Sequence, residues 1–159
     1  KGTNVMLGYY KNQEATDEVL QKDGWMKTGD LGLIDKDHFI FIKGRNKNLI
    51  LGASGQNIYP EEVEDKLNNS PYIAESLAIE ENGKITALIF PDADALKADG
   101  IAPENYQSFF EETIKEINSQ LPSYSKISAV VLQDEEFEKT PKRSIRRFKY
   151  QPGSHPINE

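Results

Sequence analysis

The sequence predicts an α+β fold, a small mixed sheet with flanking helices, because two strand hairpins accompany one amphipathic helix. Apolar runs at 31–34 and 39–42 bracket a polar turn, and those at 73–79 and 84–90 bracket a segment that contains Asn-Gly. An Asn-Gly pair between apolar runs is a strong hairpin pattern. The segment 103–121 places four apolar side chains on one helical face: Phe110, Ile114, Ile117 and Leu121.

The remaining elements are shorter. Residues 12–20 have helical character, with a possible N-cap at Thr16. Residues 48–51 predict a short strand that leads into a glycine-rich loop. A second helix begins at Pro60, where the first turn tolerates proline, and runs to about Asn68. Two further segments complete the pattern, a helical turn or loop at 92–100 and a strand at 127–132.

Composition narrows the class of protein. The chain has 159 residues, is 37% hydrophobic and carries a formal net charge of −7, which argues against general nucleic-acid binding. It has no cysteine, which excludes disulfides and zinc–thiolate sites and fits a reducing cytoplasm. No apolar run approaches the roughly 20 residues needed to span a bilayer.

The start at Lys1, without methionine, predicts a piece of a longer protein. Neither His38 nor His155 has the spacing of a metal site.

Two residues suggest nucleotide binding. Asp30 follows a Thr-Gly turn, and its carboxylate could accept hydrogen bonds from the two hydroxyls of a ribose. The alternative, which spacing alone favours, is a turn aspartate that caps the backbone of Leu31-Gly32. Arg45 follows Gly44 and offers a planar donor fork to the same sugar or to a phosphate. It could also be a surface arginine paired with an acid.

The order of several motifs resembles the adenylate-forming superfamily. These motifs are 27–30 (Lys-Thr-Gly-Asp), the pair Gly44-Arg45, and 55–64 with its Asn-Ile-x-Pro-x-Glu-x-Glu pattern. Residues 4–12 and 23–25 fit the same pattern. The match is closest to the C-terminal part of AMP-forming acyl-CoA synthetases of the long-chain fatty acid type. Such enzymes join a carboxylate to ATP, forming acyl-adenylate and pyrophosphate, and then transfer the acyl group to CoA with release of AMP.

The resemblance implies a division into two domains. Residues 1–43 would close the large N-terminal domain, and residues 44–159 would form a mobile C-terminal lid. Asp30 would bind the ribose of ATP or AMP with help from Arg45, and Lys47 would be the hinge. Four residues of the glycine-rich loop would approach the pantetheine arm of CoA: Gly52, Gly55, Gln56 and Asn57. Mg²⁺ would arrive with ATP, and the large domain would be the lid's own partner. Nothing in the sequence indicates contact with a membrane.

The end of the chain departs from the family pattern, which has a Gly-Lys pair whose lysine contacts the reacting oxygens during adenylation. Counting from Thr140 puts Arg143 and Ser144 at those two positions. Because Ser144 stands at the lysine position, Lys142, which lies two positions before it, is the candidate catalytic lysine. Lys139, Arg143 and Arg146 could also supply charge from a flexible tail, and a merely solvated basic segment is the plain alternative.

Two other functions remain open. One is a related enzyme that forms acyl-adenylates without CoA or that loads a carrier protein. The other is a non-catalytic interaction module with the lid fold, which the altered stretch 140–147 would suit. Acyl chain length is outside the reach of this sequence.

Overall fold

The computed structural model describes residues 1–52 and 55–152, and the chain divides into two compact units. The first unit is Lys1–Lys47, and the second begins at Asn48. In the described part of the chain, no helix is long and apolar enough to cross a membrane.

The first unit contains one short helix and the predicted hairpin. Helix α1 spans Gln13–Val19, and its N-cap is Asn12, whose Oδ1 accepts a hydrogen bond from the Ala15 N–H at 3.0 Å. The cap predicted at Thr16 is wrong, because Thr16 lies inside the helix and its Oγ1 accepts the Tyr9 N–H at 2.9 Å.

Strands β1 (Asp30–Ile34) and β2 (Ile40–Arg45) pair antiparallel, which confirms the first hairpin. Large apolar side chains stay exposed on the hairpin, where Ile40 and Ile42 keep 68% and 67% of their surface. A β-bulge between Leu31 and Gly32 shifts the register of the pair. This hairpin therefore supplies little of the core of the chain.

The second unit opens with a strand pair that only half follows the prediction. Strand β3 (Ile50–Leu51) lies within the predicted strand, but it pairs with a second strand, β4 (Asn57–Ile58), which sequence patterns missed. Helix α2 spans Pro60–Asn68 with proline in its first turn, as predicted. Its buried residues Val63 and Leu67 fix it against the core.

A mixed three-stranded sheet forms the centre of the second unit. Strand β5 (Ile73–Glu81) pairs antiparallel with β6 (Lys84–Pro91), and β6 pairs parallel with β7 (Ile127–Leu132). The β5–β6 turn has left-handed φ values of 53° at Asn82 and 77° at Gly83, the conformation that an Asn-Gly hairpin turn requires. The α+β class and its small mixed sheet are thus confirmed.

Two helices connect β6 to β7. Helix α3 (Ala93–Ala98) is capped by Asp92, whose side chain accepts the Ala95 N–H. The long helix predicted from Pro103 is divided into a 3₁₀ turn, Pro103–Asn105, and helix α4, Tyr106–Ser119. A parallel pair needs such a crossover, whereas a hairpin needs only a turn.

Side chains alternate between the two faces of the sheet. One face packs against the helices, with core residues that include Val63, Leu67, Ile89, Phe110 and Ile114. The other face presents Leu77, Ile79 and Leu88, which pack with the buried Phe137. The expected flexible tail is therefore wrong for the part around Phe137, which is part of the core of the second unit.

Candidate functional site

Asp30 and Arg45 form a pair at the open end of the β1–β2 ladder. They are direct partners in the strand register, and the Arg45 Nη1 lies 2.9 Å from the Asp30 Oδ1. The Arg45 Nη1 also donates to the Thr28 carbonyl at 3.1 Å. Gly29 has a φ of +77°, the left-handed region that favours glycine in the turn before Asp30. The side chain of Asp30 keeps 35% of its surface exposed, so its carboxylate can still accept hydrogen bonds from a ligand.

Lys47 lies where the first unit ends. It is exposed in the middle of a single 3₁₀ turn, Asn46–Asn48, and Asn48 starts the second unit. The Asn48 side chain donates to the Glu61 Oε1 at 2.6 Å, which ties this turn to α2.

The glycine-rich loop connects β3 to β4. The Gly52 N–H donates to the Gln56 carbonyl, and the Gly55 N–H donates to the Gly52 carbonyl, both at 2.8 Å. Gly55 has a φ of +81° and open space where a side chain would project. Gln56 and Asn57 are exposed beside it. The middle of the predicted loop, residues 53–54, lies outside the described residues.

A cleft of about 230 Å³ borders this loop. Gly52 and Gln56 form one side, and the opposite side is formed by the β5–β6 turn and the segment that leads into β7. The cleft is lined by hydroxyl groups, two cations and one acid: Ser123, Tyr124, Ser128, Lys84, Lys126 and Glu80. We call it the Lys126 cleft. Its apolar lining is Ile50, Ile58 and Ile85, of which the last two are buried, and with the polar groups it suits a ligand that has both apolar and anionic parts.

The tail forms a tight hairpin, residues 138–146. Backbone hydrogen bonds close it from Thr140 N–H to Ser144 C=O and from Arg146 N–H to Glu138 C=O, both at 2.8 Å. The Arg143 N–H donates to the Thr140 carbonyl, so the chain reverses at residues 141–142. Arg143 has a φ of +62°, a left-handed conformation that glycine adopts more easily than arginine. The position that the family pattern assigns to glycine thus has a glycine-like backbone in this chain.

Lys142 is exposed at the tip of this tail hairpin. Within the described chain, its side chain has no ion pair. Lys139 differs, because it pairs with Glu75 and with Glu136, and the Glu75 contact raises the pKa of the Lys139 ammonium. Among the alternatives to Lys142, Lys139 is therefore engaged in holding the tail to β5.

Sequence reasoning missed four residues around these sites. Lys84 and Lys126 are far apart in sequence and line the same cleft because β6, which begins at Lys84, and β7, which follows Lys126, are neighbours. Glu64 and Arg147 form an ion pair across 83 positions, and no local pattern brings them together. The structure pairs Asp30 with Arg45 and gathers the loop residues in one hairpin, while Lys142 belongs to neither group.

Comparison with known proteins gives a family match. The family model described as "AMP-binding enzyme C-terminal domain" matches residues 47–151. A probable acyl-activating enzyme of Arabidopsis thaliana is 32% identical over 93% of this chain and 27% of its own length. A long-chain-fatty-acid–CoA ligase of Mycobacterium tuberculosis is 41% identical over 61% of the chain and 16% of its length. A probable 4-coumarate–CoA ligase of Dictyostelium discoideum is 47% identical over 50% of the chain and 14% of its length.

Solved structures share the fold. The adenylation domain of a carboxylate reductase from Mycobacterium chelonae superposes with a TM-score of 0.79 at 21% identity, over 91% of this chain and 24% of that one. O-succinylbenzoate coenzyme A synthetase from Bacillus subtilis, in complex with AMP, gives a TM-score of 0.69 at 27% identity, over 94% and 28% of the two chains. The chain thus spans 14–27% of the length of the three relatives.

Proposed function

The chain belongs to the AMP-binding enzyme C-terminal domain family, and from this premise we propose that it is the end of an AMP-forming acid–thiol ligase. Residues 1–43 would close the large domain, and residues 44–159 would contain the hinge at Lys47 and the lid that follows it. The enzyme would convert a carboxylate, ATP and CoA into acyl-CoA, AMP and pyrophosphate. The observation that carries this proposal is the Asp30–Arg45 pair, a half-exposed carboxylate held at 2.9 Å by a guanidinium.

In the adenylation step, Asp30 would accept hydrogen bonds from the ribose hydroxyls of Mg²⁺-bound ATP. Arg45 contacts the Asp30 carboxylate, and the Arg45 side chain stays 60% exposed, so its guanidinium could reach the same nucleotide. The acyl carboxylate attacks the α-phosphorus, and pyrophosphate leaves. Lys142 would neutralise the charge that develops on the α-phosphate oxygens, as a mobile ammonium can when it is not engaged elsewhere.

In the thioester step, the lid would turn about Lys47 and present the glycine-rich loop. The CoA thiol attacks the acyl carbonyl, its proton passes to solvent, and AMP leaves. Gly52, Gly55, Gln56 and Asn57 would line the path of the pantetheine arm, because Gly55 leaves open space beside the backbone. The Lys126 cleft adjoins this loop, and its two lysines suit the phosphates of CoA.

We propose fatty acids as the carboxylate substrates. The Mycobacterium tuberculosis relative is a long-chain-fatty-acid–CoA ligase, although another relative is a probable 4-coumarate–CoA ligase. The setting would be the cytoplasm, where ATP and CoA are available, and the partner of the lid would be the large domain of the same protein.

The test is AMP formation by the full-length protein with ATP, CoA and a series of fatty and aromatic acids. We expect acyl-CoA and AMP in equal amounts with at least one fatty acid, and no carboxylate-dependent ATP–pyrophosphate exchange by the present chain alone. Exchange by this chain alone would refute its role as a lid. A full-length protein without any adenylation would favour the non-catalytic interaction module.

The role of CoA as the acyl acceptor is tested with the variant Lys126→Ala. This change removes one cation from the cleft, so we expect the KM for CoA to rise roughly 10-fold. The KM for pantetheine, which lacks the nucleotide phosphates, should stay within about twofold. Acyl transfer to a phosphopantetheinylated carrier protein, with none to CoA, would instead support the carrier-loading alternative.

A further inference from the structure

The free edge of β5 is closed by two side chains from distant parts of the sequence. β5 is an edge strand of the sheet, and the polar backbone groups of Ala78 bond to side chains instead of to β6. The Ala78 N–H donates to the Glu64 Oε1 at 2.7 Å, and the Ala78 carbonyl accepts a long hydrogen bond of 3.5 Å from the Arg147 Nη1. The other terminal nitrogen of Arg147 pairs with the Glu64 Oε2. Helix α2, strand β5 and the tail therefore meet at one point.

Among the ion pairs described for residues 135–152, this one is the most shielded. The side chains of Arg147 and Glu64 keep 19% and 11% of their surface, whereas those of Lys149 and Glu138 keep 38% and 55%. Separating a shielded pair leaves both charges poorly hydrated, while an exposed pair loses little when broken. While Glu64 is ionised, the Glu64–Arg147 pair therefore resists opening more strongly than the Lys149–Glu138 pair.

The pair fixes one side of the tail hairpin at its base. Arg147 directly follows Arg146, which closes the hairpin with Glu138. The other side is attached through Lys139, which pairs with Glu75. Glu75 and Ala78 are three residues apart on β5, about 10 Å in a strand, so the hairpin has two separate attachments on one rigid edge. Two attachments fix its direction, whereas one would allow it to swing.

We infer that Arg147 is a positioning residue for adenylation: through Glu64 and Ala78 it aims the tail hairpin so that Lys142 reaches the reacting phosphate. This inference rests on the proposed function. Arg147 itself touches no substrate in this scheme. A displacement of the order of 1 Å at a catalytic group can cost about 100-fold in rate, so loss of one attachment is enough to reduce adenylation.

The experiment uses Arg147→Met in the full-length protein, with Lys149→Met as the matched control. Both changes remove one tail cation and one ion pair, but only Arg147 connects the tail to β5 and α2. Adenylation is measured by ATP–pyrophosphate exchange, and the thioester step by transfer from supplied acyl-adenylate to CoA. We expect R147M to lower the kcat of exchange at least 10-fold with the KM for ATP within about twofold. The thioester step should change less than threefold, and K149M should leave both steps within twofold.

Equal losses in both steps would show that Arg147 only maintains the fold, and unchanged exchange would also overturn the inference. If R147M does not fold, Glu64→Gln gives the same test, because the amide oxygen still accepts the Ala78 N–H while the charge on Arg147 loses its partner. R147K, which keeps the charge but not the fork, should recover part of the exchange rate. A wild-type protein without exchange would refute the proposed function, whereas wild-type exchange that R147M and E64Q leave intact refutes only this inference.

Discussion

A turn, a strand register and an ion pair together place the side chain of Asp30, the proposed ribose ligand. The turn at Gly29 ends where β1 begins, and the register places Arg45 opposite. The Arg45 Nη1 contacts both the Thr28 carbonyl and the Asp30 carboxylate, so one end of the guanidinium has two acceptors in the same turn. If Asp30 binds the nucleotide as proposed, this contact would limit the reorientation of its carboxylate and so reduce the entropy lost on binding.

Asp30→Asn should raise the KM for ATP roughly 10- to 100-fold in the full-length protein, because hydrogen bonds to a charged acceptor contribute about 1.5–3 kcal/mol. Asp37→Asn is the control, since Asp37 is an exposed acid in the turn of the same hairpin. Steady-state kinetics of AMP formation measures both variants. An unchanged KM for ATP in D30N would exclude Asp30 from the nucleotide site.

In the tail, the sequence predicts a local backbone feature but not the side-chain pairs. Counting from Thr140 placed Arg143 at a glycine position, and the φ of +62° there agrees with that alignment. The pairing of Lys139 with Glu75 depends on where β5 lies, so no spacing in the tail predicts it. For the same reason, Lys84 and Lys126 were absent from the sequence-based site.

At the scale of elements, local patterns predicted local structure well. Asn82-Gly83 and Pro60 act within a few residues, and both the β5–β6 hairpin and α2 formed as expected. Strand β4 is two residues long, which is too short for a period-two pattern to detect. The parallel β6–β7 pair joins segments separated by two helices, so its formation depends on the packing of the whole unit.

Glu64 makes the stability of the second unit depend on pH. Burial raises the pKa of its carboxyl to about 7, against the opposing effect of Arg147 and with a small addition from Glu61. Between pH 4.5, the ordinary pKa of this carboxyl, and about pH 7, the folded chain therefore keeps a proton on Glu64 that the unfolded chain has released. This contribution to stability is lost as pH rises from about 4.5 to 7, by an amount on the order of 3 kcal/mol.

The variant Glu64→Gln removes this titration, so the free energy of unfolding should vary less over that pH window than in the wild type. Urea unfolding at several pH values measures the two curves, and Glu138→Gln serves as an exposed control on the tail. Parallel curves for the wild type and E64Q would contradict a raised pKa at Glu64.

At the scale of the whole molecule, the chain consists of two units that meet in sequence at Lys47. The hairpin of the first unit exposes large apolar side chains, including Leu33, Phe39 and Phe41. In the proposed enzyme, the rest of the large domain would cover them. The second unit has its own two-sided core and carries both the glycine-rich loop and the tail hairpin.

Lys47→Pro tests the hinge. Proline fixes φ near −65°, so it should hold the lid in one orientation and slow one half-reaction more than 10-fold while the other continues. Lys47→Ala is the control, because it removes the side chain but leaves the backbone free to rotate. Two unaffected half-reactions in K47P would exclude rotation at this residue.

In the proposed enzyme, one lid serves both chemical steps through different surfaces, and this double use is the core of the proposal. It is tested most directly by measuring both half-reactions in two full-length variants, Lys142→Ala and Gly55→Asn, the second chosen because asparagine tolerates the left-handed backbone at Gly55. We expect K142A to lose ATP–pyrophosphate exchange at least 100-fold yet still transfer supplied acyl-adenylate to CoA. G55N should keep exchange and lose transfer. If both variants lose both half-reactions by the same factor, the two steps do not use different surfaces of the lid.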